Sequence, residues 1–188
     1  MEEAQVTVDG VTHAAPRPFM VIATQNPVEQ AGTYPLPEAQ LDRFLMKASV
    51  GYPSRAAMAE ILDGSAAKRL KPLLDSGQVV RLADLAAQTY TERAVLEYVA
   101  ALAEATREDD SATLGVSTRG AIGMVRCARV WAAAQGRHFV LPDDIKALAA
   151  PVWAHRIVVD PDAAFSGATA QGVIARALSS VPAPAVSA

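Results

Sequence analysis

The sequence predicts an α/β segment over residues 1–53 followed by an all-α bundle over residues 54–188. Asp9-Gly10 joins two short alternating runs, a strong signal for a tight β-hairpin. Residues 19–24 (FMVIAT) form an unbroken apolar run, as a strand covered on both faces requires. From Ser54 onward, capping residues alternate with apolar patterns of helical period. Composition shifts at the same place. Residues 1–53 hold six acids and three bases, leaving 14 of each beyond, and five of the twelve prolines precede Pro53.

In order, Gln5-Val6-Thr7-Val8 and Val11-Thr12-His13 are the arms of the hairpin. The apolar run 19–24 ends at Gln25-Asn26-Pro27, and a turn-rich stretch leads to Pro37. Residues 38–44 (EAQLDRF) read as a short helix feeding a second buried strand over residues 45–50 (LMKASV). Ser54 caps a helix over 55–63 that stops at Gly64. A short helix covers 82–90, and Thr91 caps a longer one over 92–107, with Val95, Leu96, Val99, Leu102 and Ala103 on one face. Ser117 caps 118–135, whose apolar side is expected to be Ile122, Val125, Ala128, Val130 and Trp131, ending at Gly136. Pro142 opens the next helix with Asp143 and Asp144 at the positive end of its dipole. Leu141 stands where a capping side chain would sit, a loss of about 1 kcal/mol. Pro151 is expected to interrupt that helix, 156–159 to be extended, and 169–181 to form the last helix.

With 188 residues, 51% hydrophobic and 20% charged, the chain can bury a real core, which excludes disorder and fibrous repetition. A net charge of −3 offers no phosphate-binding track for a nucleic acid. No apolar stretch approaches the ~20 residues of a membrane span, and MEEAQ is acidic where a signal peptide is basic, so a soluble cytoplasmic chain is expected. Cys127, the single cysteine, reads as small core filler, Trp131 and Trp153 as core, and the three histidines likewise.

Chemistry-bearing patterns are few. His13, His138 and His155 lack metal-ligand spacing, no Gly-x-Ser-x-Gly elbow occurs, and no Gly-x-x-x-x-Gly-Lys phosphate loop is present. Asn26 falls at the end of a predicted buried strand, where α/β sheets place ligand sites. Arg43 and Arg119 lie near helix starts, where a guanidinium opposes the helix dipole. On the residues alone, Asn26 also fits turn chemistry before Pro27. Arg43 also fits an exposed ion pair with Asp42 or Glu38, and Arg119 an ordinary first-turn surface position.

The block running from ATQNP (23–27) through VEQAGTYPLPEAQLDRF (28–44) to GYPS (51–54) resembles the MoxR family of AAA+ ATPases. GVSTRGA (115–121), GRHFVLPDDI (136–145) and AHRI (154–157) extend the resemblance along the chain. It implies the C-terminal part of an AAA+ α/β core, with a pre-sensor-1 hairpin and strands 4 and 5, followed by a helical lid. It also implies roles: Asn26 as sensor 1, Arg43 as an arginine finger acting in trans, and Arg119 as sensor 2, with Asn26 and Arg119 contacting nucleotide. Thr118 and Gly120 flank Arg119 where the family usually has Pro before the arginine. ATP and Mg2+ follow as cofactors, and a homo-oligomeric ring, commonly a hexamer, with von Willebrand factor A domain proteins as partners. The magnesium chelatase ATPase subunit shares the Asn-Pro and Leu-Asp-Arg-Phe pieces, whereas Thr33–Pro37 (TYPLP) favours MoxR. A non-enzymatic module lending Arg43 to a ring is the alternative.

In the family the phosphate loop and the acidic Mg2+-binding motif precede the hairpin, and neither occurs in these 188 residues. The chain is therefore expected to be the portion holding sensors, finger and lid, inactive by itself. Strands 4 and 5 would flank a strand 1 that the sequence does not contain, leaving unpaired edges. Amide hydrogen exchange should accordingly find residues 19–24 less protected than residues 92–107, and equal protection would contradict this.

Overall fold

A computed structural model describes residues 5–25, 37–65 and 71–185. Asn26 and most of the turn-rich stretch after it lie outside the described residues.

β1 (Gln5–Val8) and β2 (Val11–Ala14) pair antiparallel, with Gln5 opposite Ala14 and Val8 opposite Val11. The turn needs positive φ at two successive residues. Asp9 and Gly10 supply it at 51° and 80°, as in the I′ turn that suits a twisted hairpin. Val8 and Val11 are exposed, so the hairpin stands apart from the core.

Residues 19–25 and 45–50 form neither helix nor strand, and neither segment is in a ladder with any described strand. Met20 and Ile22 are each 76% exposed and Val50 97%. The apolar run was expected to mark buried strands. A strand of this composition becomes buried only when neighbours pair with both edges and helices cover its faces, and the described residues provide neither.

The helices from residue 54 follow their caps. In α2 (Arg55–Leu62) the Ser54 hydroxyl accepts from Ala57 N, and Gly64 adopts φ 77° beyond the end. α3 (Ser76–Ala87) starts earlier than expected because Asp75 and Gln78 form a reciprocal capping box. α4 (Arg93–Arg107) begins one residue after the expected start. Glu92 takes the N-cap position, and the Thr91 hydroxyl accepts instead from Arg129 Nε at 3.1 Å. β3 (Ala112–Leu114) leads into α5 (Thr118–Ala134), capped by Ser117 on Gly120 N. α6 (Pro142–Trp153) runs through Pro151 without a break, then tightens into a 3-10 turn at Ala154–Arg156. β4 (Val158–Val159) pairs antiparallel with β3, and α7 (Pro161–Phe165) and α8 (Ala170–Ser180) complete the order.

The core is the α4–α5–α6–α8 bundle. Val95, Val99 and Leu102 of α4 meet Met124 and Ala128 of α5, Ile145, Val152 and Trp153 of α6, and Val173 of α8. α5 is turned from its expected orientation. Its buried side is Gly120, Gly123, Met124, Cys127, Ala128 and Ala132, while Ile122, Val130 and Trp131 are exposed. Small residues on the inner face let α6 come close, and Trp153 Nε1 donates to Gly120 O at 3.0 Å. Close approach outweighed side-chain hydrophobicity here. His13 and His138 are surface residues rather than core, and only His155 is half-buried.

Two polar clasps hold the bundle's loops. Asp144 takes a two-pronged bond from Arg137 at 2.6 and 2.9 Å and also accepts from Leu141 N, offsetting the missing cap at Leu141. Asp109 accepts from Arg176 on α8 and from Ser111, which holds its carboxyl well below the usual carboxylate range. At Gly115 a Cβ would lie 2.6 Å from the Arg107 backbone. Gly115→Ala should therefore lower the melting temperature by forcing the β3–α5 connection off α4, and Leu102→Ala should cost about 2–5 kcal/mol in denaturant titrations.

Candidate functional site

α1 (Glu38–Leu41) is a single turn, and the chain leaves it through Asp42-Arg43-Phe44. The carbonyls of a helix end need donors from elsewhere. Here Arg156 provides them from the 3-10 turn after α6. Its side chain is 2% exposed, and every donor nitrogen is engaged. Nε donates to Val152 O at 2.9 Å and Nη2 to Phe44 O at 2.6 Å, with Leu45 O at 3.4 Å. Nη1 donates to the Asp42 carbonyl and to Asp42 Oδ1 at 2.5 Å. A buried guanidinium is tolerable only when paired and fully bonded, and this one is both.

Two neighbouring bonds extend the contact. The carbonyl of Pro151 accepts from Lys47 N at 2.8 Å, and His155 Nε2 lies 3.0 Å from Phe44 O. Since a carbonyl only accepts, His155 must carry its proton on Nε2, which leaves Nδ1 bare and buried without a partner among the described residues. Burial, above all, pushes the His155 pKa below its usual value. The Phe44 bond works against this, the charges of Arg156 and Lys47 reinforce it, and Asp42 opposes it.

The Asp42 carboxylate also reaches α5. Ser117, the N-cap residue, accepts from Gly120 N and donates to Asp42 Oδ1 at 2.9 Å and Oδ2 at 3.2 Å. Arg119 Nη1 lies 3.9 Å from Asp42 Oδ2, with its side chain 41% exposed. The glycine after Arg119 makes the geometry possible. A Cβ at Gly120 would come within 3.1 Å of Arg156 Cδ, and one at Gly123 within 3.3 Å of Leu45 Cδ1.

Of the three residues singled out from the sequence, Asn26 lies outside the described residues. Arg43 is exposed and directly follows Asp42. Arg119 comes to the same carboxylate, so the structure brings the Arg43 segment and the start of α5 together. Asp42, offered above as an ion-pair partner for Arg43, is instead taken by Arg156 and Ser117. Arg156 and His155 were missed. The available signal was a polar pair, His155-Arg156, set between apolar Val152-Trp153 and Ile157-Val158-Val159. Among the described residues no group of three or more His, Cys, Asp or Glu could hold a metal ion. No described helix is long and apolar enough to cross a membrane.

Comparison with known proteins bears on the fold and the family. Residues 1–46 match the family model described as ATPase family associated with various cellular activities (AAA), and residues 104–177 match that of the AAA lid domain. A crystal structure from Cytophaga hutchinsonii, assigned by its description to the ATPases, superposes with a TM-score of 0.88 at 32% identity, covering 98% of this chain and 60% of that one. The chain belongs to the AAA+ ATPases, with the C-terminal portion of the core and the lid. Within them it belongs with the MoxR-type proteins. It is 39% identical to YeaC of Bacillus subtilis (strain 168), an uncharacterised protein, over 98% of this chain and 59% of that protein. It is 38% identical to the chaperone MoxR1 of Mycobacterium tuberculosis over 100% of this chain and 53% of that protein. The chain thus spans a little over half the length of these curated relatives.

The His155 bond has a pH signature. A neutral imidazole is favoured in the docked state, so once pH falls below about 6.5 the undocked state takes up the proton first and docking weakens. Protection of the Lys47 amide, corrected for intrinsic exchange, should be lower at about pH 5.5 than at about pH 7.5, and His155→Gln should flatten the difference. An unchanged dependence in the variant would contradict the assignment.

Proposed function

We propose that this chain is the finger-and-lid portion of a MoxR-type ATPase ring that couples ATP hydrolysis to chaperone-like remodelling of partner proteins. The observation that carries the reading is the Asp42 joint, which sets Arg43 on the surface beside the N-terminal turn bearing Arg119. Arg43 reaches the γ-phosphoryl group held by a neighbouring copy, where a guanidinium stabilises the charge that develops during transfer. Arg119 contacts nucleotide from the lid, and Asn26 orients the attacking water. In this reading the two arginines serve different nucleotides, Arg119 one bound beside its own lid and Arg43 one held by the neighbouring copy. The magnesium ion that accompanies ATP in the family is assigned no ligand among the described residues.

Because the 188 residues contain no phosphate loop, the chain by itself is proposed not to hydrolyse ATP. Ring assembly, commonly hexameric, von Willebrand factor A domain partners and a cytoplasmic location belong to the same reading. A regulatory module that lends Arg43 without a nucleotide site of its own is the second reading, favoured by the exposure of Arg43 on a chain lacking that loop.

Both readings meet in one experiment. The chain is mixed with a full-length MoxR-type relative whose own finger arginine has been replaced by alanine. ATP turnover should rise with the unmodified chain and stay about 10³-fold lower with Arg43→Ala, nucleotide binding by the relative being unchanged. No co-assembly and no restored turnover would overturn the proposal.

A further inference from the structure

We infer that Arg156 is a positioning residue for Arg43, acting through Asp42. The inference rests on the reading of Arg43 given above. Arg156 bonds the carbonyl groups of Asp42 and Phe44, the residues on either side of Arg43. The backbone of Arg43 is therefore held from both directions by one guanidinium that is itself 2% exposed and anchored to α6 through Val152 O. The same guanidinium engages the Asp42 carboxylate, which Ser117 bonds in turn from the N-terminus of α5. Arg43 is thus exposed on a rigid mount whose base is the α5–α6 packing.

Three features show that the mount is built for a fork rather than for a cation alone. The acceptors lie on both Nη atoms, which a lysine ammonium would have to serve from a single point. Gly120 leaves room for the Arg156 stem that carries the fork, since a Cβ there would lie 3.1 Å from Arg156 Cδ as well as 2.9 Å from Val116 Cγ1. Lys47 N and His155 Nε2 add bonds parallel to those of Arg156, so losing the fork loosens the presentation of Arg43 without releasing the whole segment.

The test uses the mixed assembly described above, with Arg156→Lys and Asp42→Asn. Ser117→Ala serves as a milder variant that leaves no buried charge unpaired. Misplacing the finger by a fraction of an ångström should lower kcat by about 10-fold or more for Arg156→Lys and Asp42→Asn, with KM for ATP and co-assembly within about twofold of the unmodified chain. Ser117→Ala should give a smaller fall in kcat. In the isolated chain, the Arg43 Nε–Hε resonance should shift in Arg156→Lys while amide resonances of Leu102 and Met124 stay in place. Unchanged kcat in all three variants would overturn the inference while leaving the role of Arg43 intact, and so would loss of co-assembly in proportion to kcat. If the unmodified chain restores no turnover, the reading of Arg43 as a finger fails, and the inference with it.

Discussion

One buried guanidinium sets the terms for the rest of the molecule. Arg156 sits where water cannot solvate it, so each of its donors must find an acceptor inside the protein. The helical bundle supplies only one, Val152 O. The others come from Asp42, Phe44 and Leu45, more than a hundred residues earlier in the chain. The lid-like bundle and the Leu-Asp-Arg-Phe segment consequently satisfy each other. Removing either partner would leave a charge or several carbonyls stranded, and a stranded buried charge costs far more than an exposed ion pair contributes.

Several sequence oddities follow from this. Gly120 and Gly123 weaken α5 by helix propensity alone, yet they clear the space that Arg156 and Leu45 fill. Pro151 leaves α6 intact, and its carbonyl takes the Lys47 amide. His155 keeps a bare, buried nitrogen next to two cations, an arrangement that favours the neutral ring. Each is awkward for an isolated helix and sensible at a joint.

How much of this could be read from the sequence depended on whether the signal was local. The Asp9-Gly10 hairpin, the Ser54 and Ser117 caps and the glycine stops were legible because each depends on a few adjacent residues. The inner face of α5 was misread because Ile122, Val130 and Trp131 carry the hydrophobicity while Gly120, Gly123 and Ala132 carry the packing. Residues 19–24 and 45–50 look like strands, but the described residues offer them no partner, and pairing is not a local property. At the site, the motif pieces containing Arg43 and Arg119 stood out. Their connection through Asp42, Ser117 and Arg156 could not be read, since it joins positions 75 and 114 residues apart.

If the joint is as central as its geometry implies, Asp42 and Arg156 must act as one unit energetically. A double-mutant cycle on Asp42→Ala and Arg156→Ala, read by denaturant unfolding of the 188-residue chain, measures that directly. A coupling of at least about 1 kcal/mol, with the double variant far less damaged than the sum of the singles, is the predicted result. Additive losses would contradict it and show that the two side chains act independently.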